Sequence, residues 1–515
     1  MSDPLSAESL PVIPSAVEGP GLTSRVVRGS MWHLTGQGVT MLATLVATPF
    51  VIRLLGPQQY GIVAFVNVLI GYLSFADMGM GTASTRFGSL AHARGDDEAE
   101  ATAIWSALLL AVVPATIVSI ALAVSARPLI EHGLRLPAYL HEPAIACVRL
   151  AALGFLARAI AGVLNTPATV RLRMDLVVLV IAGTNTGQIL LVPVVVYLGG
   201  GVTGAVSVIT GAAIAAALLH AIIGFRLLPA LRRPHISRAV VRSLAGFGGG
   251  MVLSLIASTI LANVEKLLLP RYASVEALAF YSVAFTLAFM LTQLPLAIMQ
   301  SLLPAFSRLH ANPDRRDFEL LYRRGLHAML FWALPGALFI CVAVRPFLTL
   351  WAGPQYGIES TLPVYLLIGG IVCEILAYVP GGVLITLGRT DIIARCQLSL
   401  LVPYVAGSAF LIIHFGAAGA AVAWSLRALA NLLLSAYFAA RFSGFAFVPW
   451  PDNRRDFALS VAVLVLPVVV TVLLTTSTIA RVGVACASIA SYGLLLLTRV
   501  LSDDERSALR RMVPF

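Results

Sequence analysis

Three arginines stand inside apolar runs of this sequence. Arg149 and Arg158 lie in "CVRLAALGFLARAIAGVLNT" (147–166), and Arg427 lies in "AVAWSLRALANLLLS" (421–435). A guanidinium held away from bulk water needs an anion or a wet interior, because an isolated charge in hydrocarbon costs several kcal/mol. Its fork of donors matches the paired oxygens of a carboxylate or a phosphate. Arg53, Lys266 and Arg86 stand at the edges of similar runs. The acids there are fewer: Asp77, Glu265 and Glu374. More fixed positive than negative charge suits an anionic ligand such as a phosphorylated lipid and repels an organic cation. Blander readings stand beside this one. Arg158 or Arg427 could be paired with Glu374, and Arg149 could reach the membrane surface. Arg53 and Lys266 could be interfacial anchors, and Glu265 could simply neutralise Lys266 beside it. Asp77, in "FADMGMGTASTRF" (75–87), could cap a broken helix instead of coupling an ion, a role also open to Glu374.

The elements that must carry these residues follow from composition. Of the 515 residues 59% are hydrophobic and 11% charged, with a mean hydropathy of +0.91. Runs of about 20 apolar residues, enough to cross a ~30 Å hydrocarbon core as helix, recur throughout. Fourteen spans are predicted: 32–54, 60–88, 101–125, 144–165, 176–198, 202–226, 244–268, 277–306, 325–349, 360–387, 397–414, 418–440, 457–475 and 482–500. The second and eighth are long and carry glycine or proline, which predicts breaks or tilt. On these bounds Arg158 lies about 21 Å and Arg427 about 13 Å along its span, both near mid-depth. Nine residues separate Arg149 from Arg158, which turns them to opposite faces of one helix.

The expected fold is therefore an all-α polytopic membrane protein. Lys and Arg divide 25 to 7 between the two sides when the N-terminus is inside, so both termini are expected in the cytoplasm. The bias accounts for the net charge of +11. The basic stretches "LRRPHISRAVVR" (231–242) and "LYRRG" (321–325) read as topology anchors, and no nucleic acid partner is expected. Three short matches betray a repeat: "AGVLNT" (161–166) with "GGVLIT" (381–386), "GVTGA" (201–205) with "GAAGA" (416–420), and "HARGD" (92–96) with "HANPD" (310–314). Their near-constant offset predicts two six-helix lobes of the same orientation, with a substrate site between them. The expected division is a disordered cytoplasmic tail (1–24), an N-lobe (25–226), a cytoplasmic linker (227–243), a C-lobe (244–440) and a terminal helix pair with the C-terminus (441–515).

The five cysteines are scattered, with no CxxC, so neither a disulfide framework nor a zinc site is expected. No metal or cofactor is expected either. No GxxxxGK[ST] motif occurs, which excludes ATP hydrolysis by that route. A membrane glycosyltransferase or ligase would need acidic residues on a sizeable extramembrane loop. The longest candidate, 126–143, carries Glu131 and Glu142 without a paired motif, and a non-enzymatic transporter is expected.

The stretch 29–86, with "RLLGPQQYG" (53–61) and "DMGMGTASTR" (77–86), closely resembles the start of bacterial polysaccharide flippases. These are the Wzx-like branch of the multidrug/oligosaccharidyl-lipid/polysaccharide exporter superfamily. "NVEKLLLPRYASVEALAFYSVA" (263–284) resembles the family's seventh-to-eighth-span passage, with Glu265 where aspartate is common. The resemblance plausibly covers 25–500. It implies two helical bundles, alternating access, and transfer of undecaprenyl-diphosphate-linked oligosaccharide across the bacterial cytoplasmic membrane for surface polysaccharide such as lipopolysaccharide or exopolysaccharide. It also implies lumen-facing basic residues that hold diphosphate and acidic sugars, with Arg53 and Lys266 at matching positions. Arg158 and Arg427 are added from depth alone. Polysaccharide polymerase and glycosyltransferases are the protein partners it suggests. The competing expectations are an ion-coupled exporter of small drugs on the same fold and a membrane scaffold without transport.

Overall fold

The computed structural model describes residues 20–73, 79–310, 315–444, 454–474, 477–495 and Thr498. The first half contains α1 (Pro20–Leu73), α2 (Met80–Ala93), α3 (Asp97–Gly133), α4 (His141–Leu164), the short α5 (Thr166–Val170), α6 (Met174–Val195) and α7 (Gly201–Leu227). The second contains α8 (Arg238–Tyr272), α9 (Val275–Phe289), α10 (Gln293–His310), α11 (Arg315–Trp351), the short α12 (Pro354–Glu359), α13 (Thr361–Thr386) and α14 (Thr390–Ser443). The terminal pair is α15 (Arg454–Leu474) and α16 (Thr478–Leu495). Among the described residues there is no strand. That is what a chain in hydrocarbon must do, since only helices and closed barrels satisfy their own backbone there.

The described residues of all fourteen predicted spans fall on these helices, apart from short breaks; 74–78 of the second span, 475 of the thirteenth and most of 496–500 of the fourteenth lie outside the described residues. Among the described residues eight helical stretches are long and apolar enough to cross a membrane, and two of them, Met174–Leu227 and Thr390–Ser443, run to 54 residues. Straight, each would reach about 80 Å, far beyond a ~30 Å hydrocarbon core. Each therefore holds two crossings joined by a tight reversal. In α14 the reversal is at Gly416, whose φ of 55° and ψ of −130° suit glycine. The returning chain passes so close that a Cβ on Gly419 would lie 2.0 Å from the Leu411 carbonyl oxygen. In α1 the break is at Gly56, with φ 71° and ψ 171°. The expected interruptions of the second and eighth spans are present: Gly79, with φ 66° and ψ 25°, starts α2 afresh, and α9 and α10 are separated by a 3-10 turn, Met290–Thr292. Asp77 and the other residues of 74–78 lie outside the described residues, as do 1–19 of the expected tail.

The two halves repeat one packing scheme. α4 packs on α3 and α7 and α1 on α6; correspondingly, α13 packs on α11 and α14, and α8 on α14. One contact marks the equivalence. The Thr210 hydroxyl donates to the Leu150 carbonyl at 3.0 Å, and Ser425 donates to that of Leu366 at 2.8 Å. Beneath each hydroxyl lies a glycine, Gly154 and Gly370, where a side chain would collide or crowd. Small residues at helix crossings let backbones approach, which replaces the hydrophobic drive missing inside lipid. Between the halves, α1 meets α8 and α9, and α3 meets α8. The segment expected as a linker is held down: Leu228 and Leu231 are fully buried, and the Trp105 indole donates to the Leu231 carbonyl at 3.0 Å.

Candidate functional site

A cavity of about 930 Å³ opens between α1 and α6 on one side and α8, α9 and α10 on the other. Its size falls near the top of the ~300–1,000 Å³ usual for ligand sites. Among the described residues Lys266 is the one charged member of its wall, and the remaining polar lining consists of amides and threonines. The Lys266 ammonium donates to Asn263 Oδ1 at 2.8 Å and lies 3.7 Å from the Phe285 ring centroid. An amide oxygen and a ring face steady the cation without cancelling it.

The neighbouring acid is turned elsewhere. Successive residues of a helix point about 100° apart, and Glu265 is fully buried while Lys266 is half-buried. Tyr281 and Tyr404 donate to the two Glu265 carboxylate oxygens at 3.2 and 2.7 Å, joining α8 to α9 and α14. Beside them, Arg427 lies 4.9 Å from the Trp424 ring and 3.4 Å from Glu374. Arg427 lines a separate pocket of about 160 Å³ with Tyr404 and Ser408. For this arginine the ion pair foreseen as the alternative is the one formed.

The other expected site residues are dispersed. Arg158 is exposed on α4. Among the described residues it forms no ion pair. Arg149 is exposed near the start of α4, and Arg86 is exposed on α2. Neither lines the two cavities above, nor do Arg158 and Arg53. Arg53 donates to the Leu350 carbonyl at the end of α11, and the Trp351 indole donates to the Leu45 carbonyl at 2.8 Å. At this same end Gln58 donates to Glu276, Tyr139 donates to Gln58, and the Arg135 amide donates to the Pro270 carbonyl at 2.8 Å. Apart from Tyr139–Gln58, which lies within the first half, these bonds stitch the first half to the second around the Gly56 turn.

Composition gave no hint of the Glu265 clasp or of the four amides in the cavity wall, Gln37, Asn185, Gln293 and Gln300. A further cluster was also unforeseen. His92, Asp97 and Glu100 hold their ligating atoms within 4.8 Å of one another. Arg171 already grips the buried Glu100 carboxylate at 2.6 and 3.1 Å, so the group reads as an ion-paired clasp of α2, α3 and α5, its charge met by an arginine.

Residues 26–310, more than half of the chain, match the family described as polysaccharide biosynthesis protein. The chain belongs to that family. A Shigella flexneri protein named "Putative O-antigen transporter" is 23% identical over 416 residues, covering 79% of this chain and 96% of that one. Among solved structures, a lipid II flippase, MurJ, in an inward closed conformation superposes with a TM-score of 0.70 at 10% identity, covering 94% and 99% of the two chains. An inward-facing multidrug transporter of the MATE family and MOP superfamily gives 0.67 at 14% identity, covering 79% and 94%. At such identities these structures establish the fold alone. By its family and its apolar helices the chain is a multi-pass protein of the bacterial inner membrane with a transporter fold.

Proposed function

We propose that the protein carries a polyprenyl-diphosphate-linked oligosaccharide from the inner to the outer leaflet by alternating access. The carrying observation is Lys266, which forms no salt bridge among the described residues, in the wall of a 930 Å³ cavity between the two halves of a polysaccharide-family chain. Taking the N-terminus as cytoplasmic, the stitched end around Gly56 faces outward and closes the cavity on that side. The headgroup enters from within, its phosphate meets Lys266, and the prenyl chain stays in lipid. Bringing the anion to a fixed cation offsets part of the cost of dehydrating both. Rocking of the halves then opens the outer end. Binding alone supplies no direction. Consumption of the flipped lipid by a polymerase provides it in this reading, with Glu374 and Asp77 as the acids that would couple an ion. The drug-exporter reading fits less well, because no described lining residue of the cavity is acidic.

Depleting the protein in its own cell is expected to leave the lipid-linked oligosaccharide intact and trapped on the cytoplasmic leaflet. Resistance of the sugar to an added external glycosidase reports this. Sugar still exposed outside after depletion would remove the flippase reading. The outer closure has its own test. A short bifunctional thiol reagent joining Gln58→Cys to Glu276→Cys should halt transfer, and reductive release should restore it. Transfer at the normal rate through a cross-linked protein would show that this end does not open.

A further inference from the structure

We infer that the linker between the halves, 232–242, is a docking surface for anionic phospholipid of the cytoplasmic leaflet, taking the N-terminus as cytoplasmic. Arg232, Arg233, Arg238 and Arg242 are exposed there, and among the described residues none of the four makes an ion pair or a hydrogen bond. No Asp or Glu occurs between Asp175 and Glu265. Arginines in other loops of the same predicted side are neutralised: Arg171 pairs with Glu100, Arg173 with Asp175, and Arg389 and Arg395 with Asp391. Orientation by positive charge counts Lys and Arg and is nearly indifferent to acids. It accounts for arginines in the linker and leaves the lack of an acidic partner unexplained. A bound anion explains both.

The backbone beneath these arginines is fixed. Leu228, Leu231 and Leu244 are fully buried together with Ile104, and Val240 packs on the same cluster. Arg238 and Arg242 leave the helix about 200° from Val240, so they face away from the protein. One turn apart, they also repel each other until an anion lies between them. Leu244 opens the seventh predicted span, which puts Arg242 about 3 Å and Arg238 about 9 Å beyond it along the helix. That is the depth of the headgroups, a layer roughly 5–8 Å thick on each side of the hydrocarbon. Phosphate oxygens there suit the guanidinium fork. Ile236, 47% exposed between the two arginine pairs, reaches the boundary of headgroup and acyl chain, a contact that suits lipid better than a water-soluble acidic protein. Arg232 and Arg233 are tied to the first half through Leu231, whereas Arg238 and Arg242 belong to α8 of the second. Lipid held by all four grips both halves at once.

The test uses the purified full chain in mild detergent, titrated with phosphatidylglycerol or phosphatidylcholine of equal chain length, and counts bound lipid by the mass of the intact complex. Phosphatidylglycerol is expected to bind about tenfold or more tighter, with the preference falling as salt rises. Removing arginines also removes the signal that orients the chain, so the decisive variant keeps them. Ala239→Glu sets an acid at an exposed position three residues before Arg242. An acid near a helix N-terminus favours the helix, so the melting temperature in phosphatidylcholine should hold or rise. The preference for phosphatidylglycerol should nevertheless fall about fivefold or more, the effect of one cancelled arginine. Ala239→Gln, of the same shape without the charge, should keep the preference, as should Arg389→Gln with Arg395→Gln. Equal affinity for the two lipids overturns the inference. So does a preference that survives Ala239→Glu, or one that Arg389→Gln with Arg395→Gln removes as fully. Displacement of phosphatidylglycerol by an equal concentration of inorganic phosphate overturns it too, since the site would then hold a free anion.

Discussion

Lys266→Ala should lower the rate of headgroup transfer by about 10- to 100-fold while the protein accumulates in the membrane in normal amount. The magnitude is that of a charge-assisted hydrogen bond, roughly 1.5–3 kcal/mol, at about 1.4 kcal/mol per decade. The fold should survive because the ammonium's protein contacts are one amide oxygen and one ring face. The side chain stands at an open cavity and not in a packed core. Lys266→Arg keeps the charge on a broader, planar head that must clear Phe285, so partial transfer is expected. Lys266→Gln has nearly the same length without the charge and should behave like alanine. Rescue of a depleted strain, normalised to protein in the membrane, reads all three. Full rescue by Lys266→Gln would mean that the cation does not hold the anion.

Glu265→Leu should have the largest effect on stability. The variant removes an acceptor that two buried phenols share and leaves both hydroxyls without a partner. Hydrogen bonds to a charged group contribute about 1.5–3 kcal/mol each, and stranding a buried donor adds to the loss. The apparent melting temperature of the purified protein should fall by roughly 5–10 °C. Because Glu265 ties α8 to α9 and α14, the loss also frees the helix that positions Lys266. Glu265→Gln keeps the shape and one acceptor and should cost less than half as much. Adding Tyr404→Phe to Glu265→Leu should cost little further, since one bond cannot be lost twice. An additive double variant would argue that the two side chains act separately.

Much of the architecture was open to sequence reasoning because hydrocarbon imposes a strict rule of length and composition. Each run of about 20 apolar residues became a crossing, and the glycines flagged in the second span mark its interruption. The repeat was visible in three short matches, and the shared contact at Thr210 and Ser425 places it in the packing. The site was far less legible. Depth alone singled out Arg427 but could not choose between lumen and ion pair, since its partner Glu374 lies 53 residues away on another helix. Likeness to a family passage picked out Lys266, which lines the cavity. No pattern distinguished Gln37, Asn185, Gln293 and Gln300 from other amides in apolar runs. Their significance arises where three helices converge, and hydropathy does not encode which helices become neighbours.

The twin clasps at Gly154 and Gly370 carry one more consequence. Arg158 follows the first by four residues and Glu374 follows the second by four, so corresponding turns of the two halves carry opposite charges. A paired assembly of two identical halves would set two guanidiniums, or two carboxylates, at matching depth. Duplicating an ancestral gene could supply the scaffold but not this polarity. Such a sign change needs two separately encoded copies free to mutate independently, and the chain is in that sense electrically a heterodimer.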